Sequence, residues 1–340
     1  MIGPAPDRLV RWLETVGGGL QGPVTFEKFA GGQSNPTFAL DVPGGRYVLR
    51  RKPAGVLLAS AHAVEREYRL LKALHPLGFP VPRPIALCEE EDVIGSAFYI
   101  MERVEGRSYW DGSLPDEMPA ARGLIYKNMI ETLARLHRYD PDTVGLGDYG
   151  RPGNYFGRQV ARWTRQYRAS QTEDVPEIEK LIDWLARTVP EQGATSIIHG
   201  DYRIDNLIFD PAGGQVVAVL DWELSTTGDP LADFSYLALN WILPRDGLAA
   251  IGDVDLERAG IPSLAEITEL YCQLSGRPRV SNPHWYFAFS LFRLVGIVQG
   301  IRKRIIDGNA SSREAERAAQ KLIPLARAGW DQARRAGASA

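Results

Sequence analysis

Between Ser196 and Trp222 a strand-forming stretch interrupts an otherwise helical part of the chain, and it carries three oxygen-bearing side chains at fixed separations. Ile198-His199-Gly200-Asp201-Tyr202-Arg203-Ile204-Asp205-Asn206 puts an Asn five residues after an Asp. A second Asp, in Leu220-Asp221-Trp222-Glu223, follows after Leu207-Ile208-Phe209 and Val216 to Leu220, which read as two strands around a turn at Asp210 to Gln215. A hairpin that starts after Asn206 and ends before Asp221 brings those two side chains together. Phosphoryl transfer can use such a set directly. One carboxylate orients the attacking hydroxyl and takes its proton; the amide oxygen and the other carboxylate hold magnesium against nucleotide phosphates.

The rest of the chain changes period near its first third. Arg8 to Val16 places Leu9, Trp12, Leu13 and Val16 at helical spacing. Val24 to Phe29, Thr37 to Leu40 and Tyr47 to Arg50 then alternate, separated by Gly31-Gly32-Gln33-Ser34-Asn35 and Pro43-Gly44-Gly45, and predict three antiparallel strands. A helix over Ser60 to Leu74 is expected to stop at His75-Pro76, and strands over Pro84 to Cys88 and Ala97 to Val104 follow. From Pro119 onward helices are expected over Ala120 to His137, Gly157 to Ser170, Val175 to Val189, Pro230 to Trp241, Leu264 to Gln273, Asn282 to Ile306 and Ser311 to Arg335. No internal repeat or low-complexity block is visible.

Bulk properties exclude more than they assign. The chain's 340 residues suffice for two lobes, and a net charge of -3 gives no reason to expect nucleic acid or a membrane as partner. The most apolar run, Trp285 to Val298, is too short and too polar at its ends to span a bilayer and is expected as a buried helix. No cationic segment followed by an apolar one opens the chain, so no signal peptide is visible. Cys88 and Cys272 form no metal-ligand pattern; reduced thiols and a cytoplasmic location are expected. Oligomeric state stays open.

The order of three strands, a helix, two strands and a helical remainder with His-Gly-Asp-x4-Asn and Asp221-Trp222-Glu223 resembles the aminoglycoside phosphotransferase branch of the protein-kinase-like superfamily, over roughly Val24 to Trp330. Tyr47-Val48-Leu49-Arg50-Arg51-Lys52-Pro53 and Gly228-Asp229-Pro230-Leu231-Ala232-Asp233 look like the subgroup that includes the kinase-like module fused ahead of some acyl-CoA dehydrogenases. The resemblance implies a bilobal α+β fold. Residues 1–104 would form a five-stranded antiparallel N-lobe with one main helix, and 105–340 a mostly helical C-lobe. It also implies ATP and Mg2+ as cofactors and a small-molecule hydroxyl as acceptor.

Asp201 is the expected catalytic base, accepting the proton late in a loose transition state. Asn206 and Asp221 are the expected magnesium ligands, as hard oxygen donors suited to a small divalent cation. Glu223 has two readings, a ligand of a second ion or an outer carboxylate. Arg203 also has two, a cation on the transferring oxygens or a surface arginine. His199 is expected to brace the loop. Asp229 and Asp233 are expected to brace it by accepting backbone N–H bonds, with a helix cap as the competing account for Asp229. In the N-lobe, Gly32, Gln33, Ser34 and Asn35 would close over phosphates through backbone N–H groups, with a plain hairpin turn as the competing account. Arg50 stands where the kinase strand-three Lys would be, with Glu67 as its ion-pair partner; Arg51 and Lys52 are adjacent and leave the register open, and a basic strand end is the competing account. The family comparison implies that adenine bonds the backbone of Glu102 and Val104 beside Met101.

Arg158, Arg162 and Arg165 share one helical face, either a solvated basic face or an anion-accepting wall of the acceptor cleft. From Trp241 to Ala340, Arg and Lys outnumber Asp and Glu, the wrong sign for a polycationic antibiotic. That charge leans toward an anionic acceptor, and the subgroup resemblance implies a hydroxyacyl-CoA, with an aminoglycoside or sugar kinase as the alternative. A nucleotide-binding pseudokinase scaffold is the rival of another class. Only a short segment joins Trp222 to Asp229, which leaves no room for a protein-kinase activation segment.

Overall fold

The computed structural model describes residues 2–4, 6–17, 20–29, 35–53, 63–212, 214–245, 249–308 and 312–339. The chain divides into two compact units. One comprises Met1–Tyr109, Val144–Leu146 and Asp205–Ser225; the other comprises Trp110–Thr143, Gly147–Ile204 and Thr226–Ala340. The large sheet lies in the first and most of the helices in the second, as in an α+β fold.

The first unit is built on an antiparallel sheet of β1 (Ile2–Pro4), β2 (Thr25–Lys28), β3 (Thr37–Val42), β4 (Gly45–Arg51), β5 (Pro84–Cys88) and β6 (Phe98–Glu102), ordered β1-β2-β3-β4-β6-β5. The five expected strands are all present. Three residues at the start of the chain add an edge strand too short to show alternation. Because side chains alternate across a strand, β4 and β6 have two different faces. Tyr47, Leu49, Phe98 and Ile100 join the core with Leu9 and Leu13 of α1 (Asp7–Val16). Val48, Arg50, Tyr99 and Met101 face the other way. On that side lies α2 (Val64–Leu74), whose Glu67 and Leu71, one turn apart, point to the same space. The start of the expected Ser60–Leu74 helix falls partly outside the described residues.

The expected hairpin, Leu207–Phe209 with Val216–Val219, belongs to this same unit. It is tied in by Val219 N–H donating to Pro80 O at 2.8 Å and by reciprocal 2.8 Å bonds between Arg107 and Phe209. Gly106 permits that approach, since a Cβ there would collide with Ile208 and the Phe209 carbonyl.

The second unit holds α4 (Pro119–Leu136), α5 (Tyr155–Ser170), α6 (Pro176–Arg187), α7 (Leu231–Ala238), α8 (Leu256–Ala259), α9 (Leu264–Ser275), α10 (Pro283–Ile306), α11 (Arg313–Ala319) and α12 (Leu322–Arg335); α3 (Glu91–Ile94) lies in the first unit. The central element is α10. It packs on α5, α6, α7, α11 and α12, and its Phe289, Leu291, Phe292 and Val295 are buried on several sides. That explains an apolar run with no amphipathic stripe. No described helix is long and apolar enough to cross a membrane.

Two expectations need correction. The single helix over Ser311 to Arg335 is two, because Pro324 has no N–H to donate and its ring bars continuation from Gln320; it sits instead in the first turn of α12. Thr226–Gly228, read as a connection, is a strand paired antiparallel with Ser196–Ile198, with Thr226 opposite Ile198. That pairing anchors the loop that follows Ile198.

Candidate active site

In the first unit a cavity of about 480 Å³ opens between the sheet, α2 and the hairpin. Strand register orders its walls. Val48 pairs with Met101 on one rung, and Arg50 pairs with Tyr99 two residues along on the same face. The cavity is therefore apolar at Val48, Met101, Leu71 and Ile208, and charged where Arg50, Glu67, Asn206 and Asp221 meet.

At the charged end Arg50 Nη2 lies 2.6 Å from Asp221 Oδ1 and 3.4 Å from Glu223 Oε2. Its Nε lies 2.9 Å from Glu67 Oε2, an ion pair without a directed N–H bond. Burial disfavours the charge of Arg50, but Glu67, Asp221 and Glu223 outweigh that and hold the guanidinium firmly protonated. Glu67 is 2% exposed. It accepts Asn35 Nδ2 at 2.8 Å and the Tyr99 hydroxyl at 3.1 Å. Burial pushes its carboxyl up to about 7, against the pull of Arg50. Losing one member of so buried an ion pair costs on the order of 3–5 kcal/mol.

Leu220 N–H donates to the Asn206 carbonyl at 2.9 Å, which closes the hairpin and sets Asn206 and Asp221 at its base. Asp221 has a φ of +64° and leads into the 3-10 turn Trp222–Leu224. Non-glycine residues in such conformations concentrate at functional sites. Among the described residues no three His, Cys, Asp or Glu side chains are arranged to hold a metal by themselves. Asn206 and Asp221, hard oxygen donors on one cavity, nevertheless fit magnesium, which takes one or two protein ligands and completes its shell with phosphate and water.

In the second unit the loop after Ile198 is held from several sides. Asp233 accepts the N–H groups of His199 at 2.6 Å and Gly200 at 2.8 Å, and faces His137 Nε2 at 3.3 Å. His199 Nδ1 accepts Asp201 N–H at 3.1 Å. Arg293 of α10 donates to the Gly200 carbonyl at 2.5 Å, with its guanidinium 4.6 Å from the Tyr236 ring centre. The Asp201 side chain, partly exposed, receives the Tyr236 hydroxyl, which burial and the neighbouring carboxylate push up so that it stays a donor. Arg203 Nε stands 3.9 Å from Asp201 Oδ1.

Of the expected site residues, the structure brings Arg50, Glu67, Met101, Glu102, Val104, Asn206 and Asp221 to one cavity, with Glu223 bound to Arg50. Glu102 N–H is engaged by the Arg83 carbonyl at 2.9 Å. Gly32, Gln33 and Ser34 lie outside the described residues; Asn35 is buried, and its side-chain amide serves Glu67. Asp233 braces the loop as expected, whereas Asp229 accepts Leu231 N–H at 2.9 Å, the capping account. Sequence reading missed Tyr99, Tyr236 and Arg293. Alternation does put Tyr99 on the Arg50 face, so that one signal was available.

The chain is similar to known proteins over most of its length. The family model described as phosphotransferase enzyme family matches residues 25–270. Mouse acyl-CoA dehydrogenase family member 10 is 43% identical over 334 residues, covering 97% of this chain and 31% of that protein. The chain thus spans about a third of that relative. A crystal structure of a candidate aminoglycoside phosphotransferase from Ralstonia eutropha JMP134 is 47% identical, with a TM-score of 0.91 over 98% of this chain and 99% of its own. A thermostable mutant of aminoglycoside phosphotransferase APH(4)-Ia, in ternary complex with AMP-PNP and hygromycin B, has a TM-score of 0.61 at 17% identity, over 98% of this chain and 100% of its own, a likeness of fold alone. The chain belongs to the phosphotransferase enzyme family and has a kinase-like fold.

Proposed function

We propose that the chain moves the γ-phosphoryl group of ATP, with magnesium, to a hydroxyl of a small molecule, and that this acceptor is a hydroxyacyl thioester of coenzyme A. The observation that carries the reading is Arg50, seated between Glu67 and Asp221 where the apolar cavity turns charged. Val48, Met101 and Ile208 offer the faces of an adenine ring apolar contact, and Arg50 offers the α- and β-phosphates a fixed cation. With Glu102 N–H spent on Arg83, the hinge contacts left for adenine are the Glu102 carbonyl and Val104 N–H.

Asn206 and Asp221 hold the magnesium, and Glu223 supports a second ion. When bound there, magnesium supplies positive charge to the nucleotide oxygens. Asp201 orients the acceptor hydroxyl and takes its proton, and Arg203 offsets charge on the transferring oxygens. His199, Tyr236 and Asp233 fix that loop beforehand, and positioning accounts for most of phosphoryl-transfer catalysis. The acceptor reading is supported by the relative named as an acyl-CoA dehydrogenase family member. The basic excess after Trp241, which repels a polycation, supports it as well.

The test is phosphate transfer from labelled ATP to a panel of hydroxyacyl-CoA thioesters, amino sugars and aminoglycosides, with wild type and Asp201→Ala side by side. Magnesium-dependent transfer to a thioester, lost in the variant, is expected. Transfer confined to aminoglycosides would overturn the acceptor; nucleotide binding without turnover on any acceptor would leave a scaffold.

A further inference from the structure

A second cavity, of about 390 Å³, lies wholly within the helix-rich unit and is walled by Arg151, Arg158, Arg162 and Arg165, with Thr226 and Thr227 on its far side. Three of the arginines follow α5 at i, i+4 and i+7, while Val160, Trp163 and Tyr167 of the same helix go to the core. Arg158 donates to the carbonyls of Arg151 at 2.6 Å and Pro152 at 3.1 Å, which pins the preceding loop and holds Arg151 at the cavity. Among the described residues none of these four guanidiniums pairs with a carboxylate. Arg168, one turn further on, does, with Glu179. Like charges collected around one hollow repel each other unless an anion sits among them.

We infer that this cavity is the subsite for a phosphate-bearing end of the acceptor, an inference that rests on the small-molecule kinase reading above. With Arg158 spent on the loop carbonyls, the three forked donors of Arg151, Arg162 and Arg165 and two threonine hydroxyls still exceed what a single carboxylate can use; phosphate groups accept many charge-assisted bonds at once. The site also adjoins the transfer machinery within its own unit. Thr226 and Thr227 pair with Ile198 and Ile197, the residues just before His199-Gly200-Asp201. From the other side, Trp163 of α5 lies 5.8 Å from the Arg293 guanidinium that holds the Gly200 carbonyl. An acceptor gripped here by its phosphates is held beside the loop that carries Asp201, and a polycation is turned away.

The test measures calorimetric binding of coenzyme A, and separately of inorganic pyrophosphate and a phosphate-free hydroxy acid, with the nucleotide cavity saturated by a non-hydrolysable ATP analogue. Wild type should bind coenzyme A. The Arg162→Ala/Arg165→Ala variant should bind it at least about tenfold more weakly, while Arg168→Ala binds as wild type does. Pyrophosphate binding lost in the same variant assigns the contact to phosphate chemistry; preference for the hydroxy acid overturns it. Equal binding by wild type and the double variant, or none of either phosphate probe by wild type, also overturns it. Transfer to a hydroxyacyl-CoA with unchanged KM in the variant would defeat the subsite alone. Coenzyme A binding without transfer to any acceptor would defeat the kinase reading and leave the subsite standing.

Discussion

The Tyr99 hydroxyl donates to Glu67 Oε2 across 3.1 Å, in a place where both side chains are buried. Tyr99 lies on β6 beside Arg50 on β4, and Glu67 lies on α2, so the bond ties helix to sheet at the charged end of the cavity. Tyr99→Phe should cost about 1 kcal/mol, a Tm lower by ~2 °C, and should raise the KM for ATP several-fold through a looser Arg50. Calorimetry and steady-state kinetics check both. An unchanged KM would mean that Glu67 holds its place without the hydroxyl.

Asp201→Asn preserves the size of the side chain but removes its ability to take a proton. The expected loss in kcat is on the order of 10^2–10^4, with little change in KM for ATP. Because Asp201 is partly exposed and lies outside the hydrophobic core, Tm should stay within about 1 °C of wild type. Turnover near the wild-type rate would remove it from the reaction.

Asn206→Ala deletes one of two proposed magnesium donors without touching the hairpin bond, which uses the backbone carbonyl. The magnesium concentration needed for half-maximal activity should rise by at least about tenfold, and a chelator should silence the wild type. An identical magnesium titration in wild type and variant would exclude Asn206 as a ligand.

Acid should loosen the helix-rich unit through His137 and Asp233. Burial lowers the His137 pKa from its ordinary 6.5, so folding prefers the neutral ring. For Asp233 burial pulls upward, but the bonds from His137 and from the backbone of the loop prevail and hold it below 3.8. Both shifts make the unfolded chain bind more protons. Stability should therefore fall as pH drops below about 6.5, and further below about 4. Glu67, raised to about 7, runs oppositely: its contribution is full below 4.5 and fades as pH rises through about 7. The informative measurement is thus the difference in Tm between wild type and His137→Gln from pH 5 to pH 8. A constant difference across that range would refute the assignment.

What the sequence made legible depended on how many residues carried each pattern. The strands over Thr37–Val42 and Gly45–Arg51 and the helix α10 are long enough for alternation or continuous apolarity to declare them. Ile2–Pro4 and Thr226–Gly228 are three residues each, fewer than two full periods of alternation, and only pairing makes them strands. The site divided the same way. Asp201, Asn206 and Asp221 stood out because hairpin geometry acts over twenty residues. The Tyr99–Glu67 and Arg293–Gly200 bonds span 32 and 93 residues and depend on tertiary packing that no local spacing encodes.

Asp221 occupies a backbone region in which an L-residue with a Cβ is crowded and glycine is at ease. Asp221→Gly should relieve ~1 kcal/mol of that crowding, but it also takes from the buried Arg50 its partner at 2.6 Å, so the variant should melt no higher than the natural chain and transfer no phosphate. A melting curve alone would merge the two effects and say nothing of what the carboxylate does. Where a carboxylate is retained against the preference of its own main chain, robustness and usefulness part company.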